Sequence, residues 1–404
     1  MKNIQKQTHL KSVSNHLATL QPCNLATLLL CLLLAGCANN TSAQLASANV
    51  VAAMSGPADE GFARAYEPIE FEFPLDHGPH PRYQTEWWYY TGNLASEDGT
   101  PYGYQFTIFR SALTPEATER VSSYATNQIY MAHFALTDLR AKEHFSFERY
   151  SRGASGLAGA SGDPSYKVWL EDWQIQELEA GRVQIQASAD HEDSGPIAID
   201  LQLNETRAPL LHGNRGLSQK GLEAGNASYY YSLVGLETTG TVTSGSETVA
   251  ITGMSWMDHE FGTSALSRDA VGWDWFSIQL DNDSPEKSVA MMFAQIRNND
   301  GSESGNFEGT IAYGDGRQQK ITSADFSLEV QDTWTSPRTE ISYPSQWQVK
   351  FPALDIELTL RPILADQEMK VSFVYYEGAI EVVGEMAGEP VTGRGYVELT
   401  GYGQ

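Results

Sequence analysis

Apolar and polar residues alternate with a period of two along most of this chain. Tyr102, Tyr104, Phe106 and Ile108 alternate with Gly103, Gln105 and Thr107, and the same pattern recurs at Trp173-Gln-Ile-Gln, Val183-Gln-Ile-Gln, Phe326-Ser-Leu-Glu-Val, Trp347-Gln-Val-Lys-Phe and Ile356-Glu-Leu-Thr-Leu. Side chains on a strand point to opposite faces in turn, so each run predicts a strand with one wet face. Turn-forming clusters such as Ser96-Glu-Asp-Gly99 and Asp281-Asn-Asp-Ser284 separate the runs, and no helix-length stretch carries a 3.6-residue stripe. The pattern predicts an all-β, antiparallel protein in sandwich or barrel form. The 35 glycines suit its many short turns.

One internal similarity points to duplication. Trp88 precedes Arg110 by 22 residues, and Trp275 precedes Arg297 by 22; at the same offset of 187, Tyr89 matches Phe276 and Phe106 matches Phe293. Both segments read as aromatic strand, acidic turn, apolar strand, arginine, which predicts a repeated hairpin opening two related barrels. The Gly/Ser/Ala-rich stretch 151–165 and the Gly/Asn-rich stretch 212–227 read as long insertions over a barrel mouth.

The N-terminus has a different character. Lys2, Lys6 and Lys11 precede an apolar run from Leu25 to Ala35, too short to span a bilayer as a helix, and the run ends in Leu34-Ala35-Gly36-Cys37. Small residues before a cysteine form a lipobox, so residues 1–36 are expected to be a lipoprotein signal peptide and Cys37 the lipidated residue. Residues 37–62, rich in Ala, Ser and Asn, then read as a flexible tether. Ala38 after the cysteine favours sorting to the outer membrane, with the body in the periplasm. Cys23 and Cys31 leave with the signal, so the body is expected to hold neither a disulfide nor a thiolate metal site.

Charge narrows the partners. Lys+Arg 26 against Asp+Glu 51 gives −25, and loss of the three signal lysines makes the mature chain 23 − 51 = −28. Such a surface repels phosphate backbones, which excludes a nucleic-acid partner. Aromatics at 11% with charged residues at only 19% instead point to aromatic-lined β-structure, not to a helical or coiled-coil protein.

Three constellations carry candidate chemistry. Asp76-His-Gly-Pro-His80 leads into Thr85-Glu-Trp-Trp-Tyr-Tyr90; Glu86, Trp88 and Tyr90 share one strand face, Trp87 and Tyr89 the other, as at a wall buried on both sides. His77 and His80 are metal-capable types, but the Gly-Pro between them reads as a turn, and no metal is expected. In Trp256-Met-Asp-His-Glu260, Asp258 and Glu260 project opposite His259, so the three do not form one site on a regular strand; a buried polar network is the alternative to catalysis. In Gly272-Trp-Asp-Trp-Phe276, Trp273 and Trp275 share a face and Asp274 takes the other. Among aromatics a carboxyl group is desolvated and keeps its proton towards neutral pH, which fits a general acid; pairing with Arg297 or Arg110 is the competing account. The chain has no Gly-x-Ser-x-Gly elbow, His-Glu-x-x-His, phosphate loop or dinucleotide fingerprint.

Together these segments resemble the CrtC/AttH-like family of carotenoid 1,2-hydratases and secreted lipoproteins. The stretches that carry the resemblance include Asp76–His80, Thr85-Glu-Trp-Trp-Tyr-Tyr-Thr-Gly-Asn-Leu94, His133-Phe-Ala-Leu-Thr-Asp138 and Ala227-Ser-Tyr-Tyr-Tyr-Ser232, then Trp256–Glu260, Gly272–Phe276, Tyr376-Glu-Gly378 and Gly393-Arg-Gly-Tyr-Val-Glu-Leu-Thr-Gly-Tyr402, within about residues 70–402. The resemblance implies two tandem lipocalin-like antiparallel β-barrels, here divided as 63–262 and 263–404. It further implies cofactor-free addition of a proton and water to an isoprenoid alkene, a hydro-lyase chemistry. On that reading Asp274 is the acid, His259 orients the water, and Trp88, Tyr90, Trp273, Trp275, Arg110 and Arg297 form the ligand site. Phe261, where hydratase-like relatives tend to carry Trp, departs from the pattern. The second reading is a non-enzymatic lipocalin-like carrier that serves an envelope transport system.

Overall fold

A computed structural model describes residues 61–403, except 117–121, 264–265, 267–269, 282–283, 285–286 and 299–307. The expected signal peptide, Cys37 and nearly all of the tether lie outside the described residues. Strands follow the period-2 runs closely, and the described residues build two sheets.

The first sheet has 13 strands. Its main path runs Glu143–Arg152, Gln128–Asp138, Pro101–Ala112, Thr85–Ser96, Glu247–Gly262, Ala227–Ser244, Gly195–Glu205, Arg182–His191, Trp173–Glu179, Lys167–Leu170 and Ala158–Ser161, every neighbouring pair antiparallel. The sheet curls until Lys167–Leu170 packs across the Pro101 and Gln128 strands. Its interior is filled by inward residues such as Trp88, Phe106, Phe134, Trp173, Ile185, Leu201 and Tyr231, all fully buried. The 151–165 stretch is therefore not a plain loop, since it contains the short strand Ala158–Ser161.

The second sheet has 10 strands and begins at Ala270. Gln318–Ile321, Glu308–Tyr313, Val289–Asn298, Ala270–Leu280, Glu389–Leu399, Val374–Met386, Ile356–Pro362, Ser342–Phe351 and Ser327–Thr335 lie in that order, and Glu368–Lys370 adds to the Val374 strand. Phe276, Phe293, Trp347, Val349 and Leu358 fill its interior. The molecule is thus two tandem lipocalin-like antiparallel barrels, one nearly closed and one half-barrel.

The repeated hairpin is present but slipped by one residue. Tyr90 pairs with Phe106 in the first barrel and Phe276 with Phe293 in the second. The first strands therefore correspond at 276 − 90 = 186 and the second strands at 293 − 106 = 187. A one-residue slip exchanges the two faces of a strand. Asp274 accordingly corresponds to the inward Trp88, not to Trp87, and Trp275 corresponds to Tyr89.

The barrels meet wall to wall through a buried apolar cluster that includes Tyr89, Tyr230, Trp256, Trp275, Met292 and Ala379, crossed by polar contacts. Tyr89 donates to Glu377 (2.8 Å), Asn93 to the Gly395 carbonyl (3.0 Å), Gln279 to the Val234 carbonyl (2.8 Å) and Thr137 to Gln367 (2.9 Å). Gly103 makes the approach close, because a Cβ built there would lie 2.6 Å from the Cβ of Ala379.

Candidate functional site

The two faces of the wall shared by the Thr85 and Glu247 strands carry different chemistry. On the inward face, Glu86 is completely buried and ringed by donors. Arg110 Nε lies 2.8 Å from its carboxylate, His259 Nε2 2.9 Å and His80 Nδ1 2.8 Å, with the His80 backbone N–H at 3.0 Å. Burial alone would raise this carboxyl's pKa, but Arg110 and the two histidines hold it well below the usual carboxylate range. Burial would likewise lower His80, yet its bonds to Asp76 and Glu86 raise it to about 9. His259 also meets Tyr231 at 2.9 Å and stacks on Trp88 at 5.0 Å; burial pushes its pKa down against the pull of Glu86.

His80, Glu86 and His259 are the one group of metal-capable side chains found converging among the described residues, with ligand atoms within 4.8 Å of one another. The guanidinium of Arg110 already occupies one carboxylate oxygen there, and a cation would be repelled by it. The cluster is an ion-paired lock at one end of the first barrel. It answers the two accounts of the Asp-His-Glu stretch separately for its members: His259 belongs to this network, and Asp258 and Glu260 turn away from it.

On the outward face the side chains converge on a cavity at the junction of the barrels. About 740 Å³ of free space, counting its open mouth, is lined by Trp87, Tyr89, Phe109, Lys220, Tyr230, Asp258, Glu260, Leu266, Trp273, Trp275, Ala294, Ile296 and Glu398. Strand parity explains the set. Trp87 lies opposite Glu260 and Tyr89 opposite Asp258, and across the next strand pair Tyr230 lies opposite Glu260 and Ser232 opposite Asp258. The second barrel contributes Trp273 and Trp275 from one strand and Glu398, directly opposite Trp275, from its neighbour. Lys220, from the predicted insertion 212–227, sits 4.5 Å over the Tyr230 ring and 3.3 Å from Glu260.

Asp258 is held by three donors. Tyr230 Oη lies 2.5 Å from Oδ2 and Trp256 Nε1 2.6 Å from Oδ1, and the Ser232 hydroxyl also meets Oδ1. Donors favour the anion, but burial is the larger effect and the charge of Glu260 adds to it, so its pKa rises to about 7. Glu398 reaches about 7 for a related reason: burial raises it, as do the charges of Asp258 and Glu260, while the Trp273 indole donating at 3.0 Å opposes the shift. Two carboxyls of one apolar pocket therefore exchange protons near neutral pH.

The residues singled out from the sequence divide accordingly. Trp273 and Trp275 line the cavity. Trp88 is in the first barrel's interior and donates to the His77 carbonyl at 2.9 Å; Tyr90 is buried beside Tyr166 at 2.8 Å and borders a much smaller void with His77, Glu177 and Glu205. Arg110 serves Glu86. Asp274 is absent from the cavity lining: its Oδ1 lies 3.2 Å from Arg297 Nε, and Tyr402 donates to its Oδ2 at 3.0 Å. The expectation of a protonated, unpaired acid at Asp274 is corrected by that ion pair, and Arg297, stacked 4.0 Å over Tyr402, is its partner instead of a ligand contact. Asp258 was legible only as a member of the Asp-His-Glu stretch. Glu398 was not singled out, although a lone glutamate inside Gly395-Tyr-Val-Glu-Leu-Thr400, between apolar neighbours, is the kind of signal that marks it.

The fold and the junction cavity define a tandem-barrel protein with an aromatic, carboxyl-bearing pocket between its domains. The chain belongs to the AttH-like family, whose profile matches residues 64–402. A crystal structure from Nitrosomonas europaea, assigned as an AttH, is 31% identical and superposes with a TM-score of 0.73 over 84% of this chain and all of that one. Kievitone hydratase from Nectria haematococca shares the fold at 16% identity, with a TM-score of 0.60 over 85% of this chain and 97% of that one. No curated protein matches the chain.

Proposed function

We propose that this protein is an envelope lipoprotein, anchored through Cys37, that binds a hydrophobic isoprenoid- or polyene-like molecule in the junction cavity and hydrates an alkene there without a cofactor. The observation that carries the reading is Asp258: a buried carboxyl, retained in its acid form towards neutral pH, facing a cavity walled by Trp87, Tyr89, Trp273 and Trp275. Such an acid can protonate a terminal double bond, and aromatic faces stabilise the tertiary cation that results. Water then captures the cation. Kievitone hydratase shares only the fold at its level of identity, so the acid assignment rests on the cavity itself.

The test is incubation of the full chain with lycopene in H₂¹⁸O. The wild type is expected to yield an alcohol carrying ¹⁸O, and Asp258→Asn to reduce the yield by roughly a hundredfold while lycopene still quenches the tryptophan fluorescence. Unchanged turnover in Asp258→Asn would overturn the acid assignment; lack of turnover in the wild type would overturn hydration. The carrier reading is favoured by a specific observation, since Asp274 and His259 are both tied into ion-pair networks. It expects tight lycopene binding with no ¹⁸O product. For the anchor, Cys37→Ser is expected to release the protein from membranes, because stable attachment needs more than one buried acyl chain; membrane-bound protein in that variant would remove the lipobox assignment.

A further inference from the structure

Capture of the cation by water releases a proton that some group must take up, and the junction holds a second pair of carboxyls. Glu377 and Glu398 are direct cross-strand partners in the second barrel. Directly opposed residues of an antiparallel pair share a face with their Cβ atoms about 5 Å apart. Glu377 is buried, and Glu398 is open only in part, with the cavity beside it. Among the described residues neither carboxyl has an ion-pair partner. Glu377 accepts from Tyr89 Oη at 2.8 Å and Glu398 from Trp273 Nε1 at 3.0 Å, two neutral donors reaching them from cavity-lining side chains. The Tyr396 hydroxyl, an electrostatic neighbour of Glu377, is buried and has no hydrogen-bond partner among the described residues. The other charged groups facing the pair are Asp258 and Glu260 from the first barrel, with Lys220 engaged by Glu260. Two adjacent carboxyls, one buried and one half-buried, with no cation paired to either among the described residues, repel each other when both are ionised, which favours a single negative charge on the pair. Burial and the neighbouring Glu398 accordingly raise Glu377 well above the ordinary glutamate range.

We propose that Glu398 is the base that takes a proton from the attacking water, and that Glu377 is a positioning residue that shares one proton with it. This rests on the hydratase reading of the same cavity. The step balances. The Asp258 carboxyl proton forms the new C–H bond as the π pair leaves the other carbon; a water lone pair then forms the C–O bond to the cation, and that water's proton passes to Glu398. Transfer of one proton from Glu398 back to Asp258 through pocket water restores the starting state, and the net change is addition of one water to the alkene.

Two isotopes separate the halves of the reaction. With lycopene in D₂¹⁸O, Glu398→Gln is expected to lose ¹⁸O incorporation by roughly a hundredfold yet still exchange deuterium into recovered lycopene, because the Asp258 step remains reversible; Asp258→Asn loses both. Infrared titration of the ligand-free protein reads the shared proton directly. Glu398→Gln removes the charge beside Glu377, so the Glu377 carboxyl is expected to titrate at least about one pH unit lower in that variant. Retained ¹⁸O incorporation in Glu398→Gln overturns the base assignment, and so does equal loss of both isotopes there. An unmoved Glu377 infrared midpoint in Glu398→Gln overturns the shared proton while the Asp258 reading stands. Absence of both isotopes in the wild type overturns the hydratase reading and the base with it, and the infrared result then decides the pair alone.

Discussion

Two groups of buried carboxyls lie back to back on the same two strands, and they have been solved in opposite ways. Inside the first barrel, Glu86 is neutralised by Arg110, His80 and His259 and stays ionised. One residue along from His259, Asp258 has neutral donors and aromatic neighbours, and burial raises its pKa to about 7. Burial is similar on the two sides. What differs is the supply of cations, and that decides which group is a fastener and which is a reagent.

The largest expected effect breaks the fastener. Arg110→Met leaves Glu86 buried without its main counter-charge and should cost about 3–5 kcal/mol in denaturant unfolding. Adding Glu86→Gln to it should recover part of that loss, since the uncompensated charge disappears. A loss below about 1 kcal/mol for Arg110→Met would mean the ionised state of Glu86 has another source.

Pushing the walls apart tests the junction next. Gly103→Val places a side chain against Ala379, where a Cβ already lies within 2.6 Å. Overpacking of this kind costs about 1–3 kcal/mol and should weaken lycopene binding through the displaced wall. Unaltered stability and binding would show that the contact yields freely.

pH separates the two groups by their sign and window. Asp258 and Glu398 hold protons in the folded state that the unfolded chain releases near pH 4, so their stabilisation is present at low pH and is lost as pH rises towards 7. His80 is raised, so its contribution is complete below about 6.5 and is lost as pH rises through about 9. Buried His77 and His144, both lowered by desolvation, act in the opposite sense below about 6.5, so the carboxyl contribution is read as a difference. The melting temperature of the wild type relative to the double variant Asp258→Asn/Glu398→Gln should fall as pH rises from 5 to 7, and the fall towards pH 9 should be common to both. A wild-type advantage that does not fall from pH 5 to 7 would reverse the assignment of these carboxyls.

The smallest effect belongs to Asp274. Its pair with Arg297 is partly exposed, so Asp274→Asn should cost under about 1 kcal/mol and leave lycopene hydration intact. Abolished hydration in a folded Asp274→Asn protein would return the acid role to it.

Most of the strand layout was legible because period-2 alternation survives in a barrel with one filled interior. Strand parity alone also separates His259 from Asp258 and Glu260. What could not be read was the destination of the outward face. Trp87 and Tyr89 announced burial on a second side, yet a covering loop and a second barrel leave the same mark in sequence. The duplicated hairpin misled on one point, because its two strands correspond at offsets of 186 and 187. That single step changes the match of Asp274 from the outward Trp87 to the inward Trp88. Glu377 and Glu398 lie 21 residues apart, and only the pairing of their strands brings them face to face.

The cavity is made from the outsides of two walls whose insides hold the cores. Variation in Trp87, Tyr230, Asp258, Trp273 or Glu398 therefore leaves Trp88, Phe106, Phe276 and Trp347 in their packing. In evolutionary terms the architecture separates what must be kept from what is free to drift. A lineage built on it can trade one ligand, or one reaction, for another by substitutions in the seam while the two interiors keep their packing.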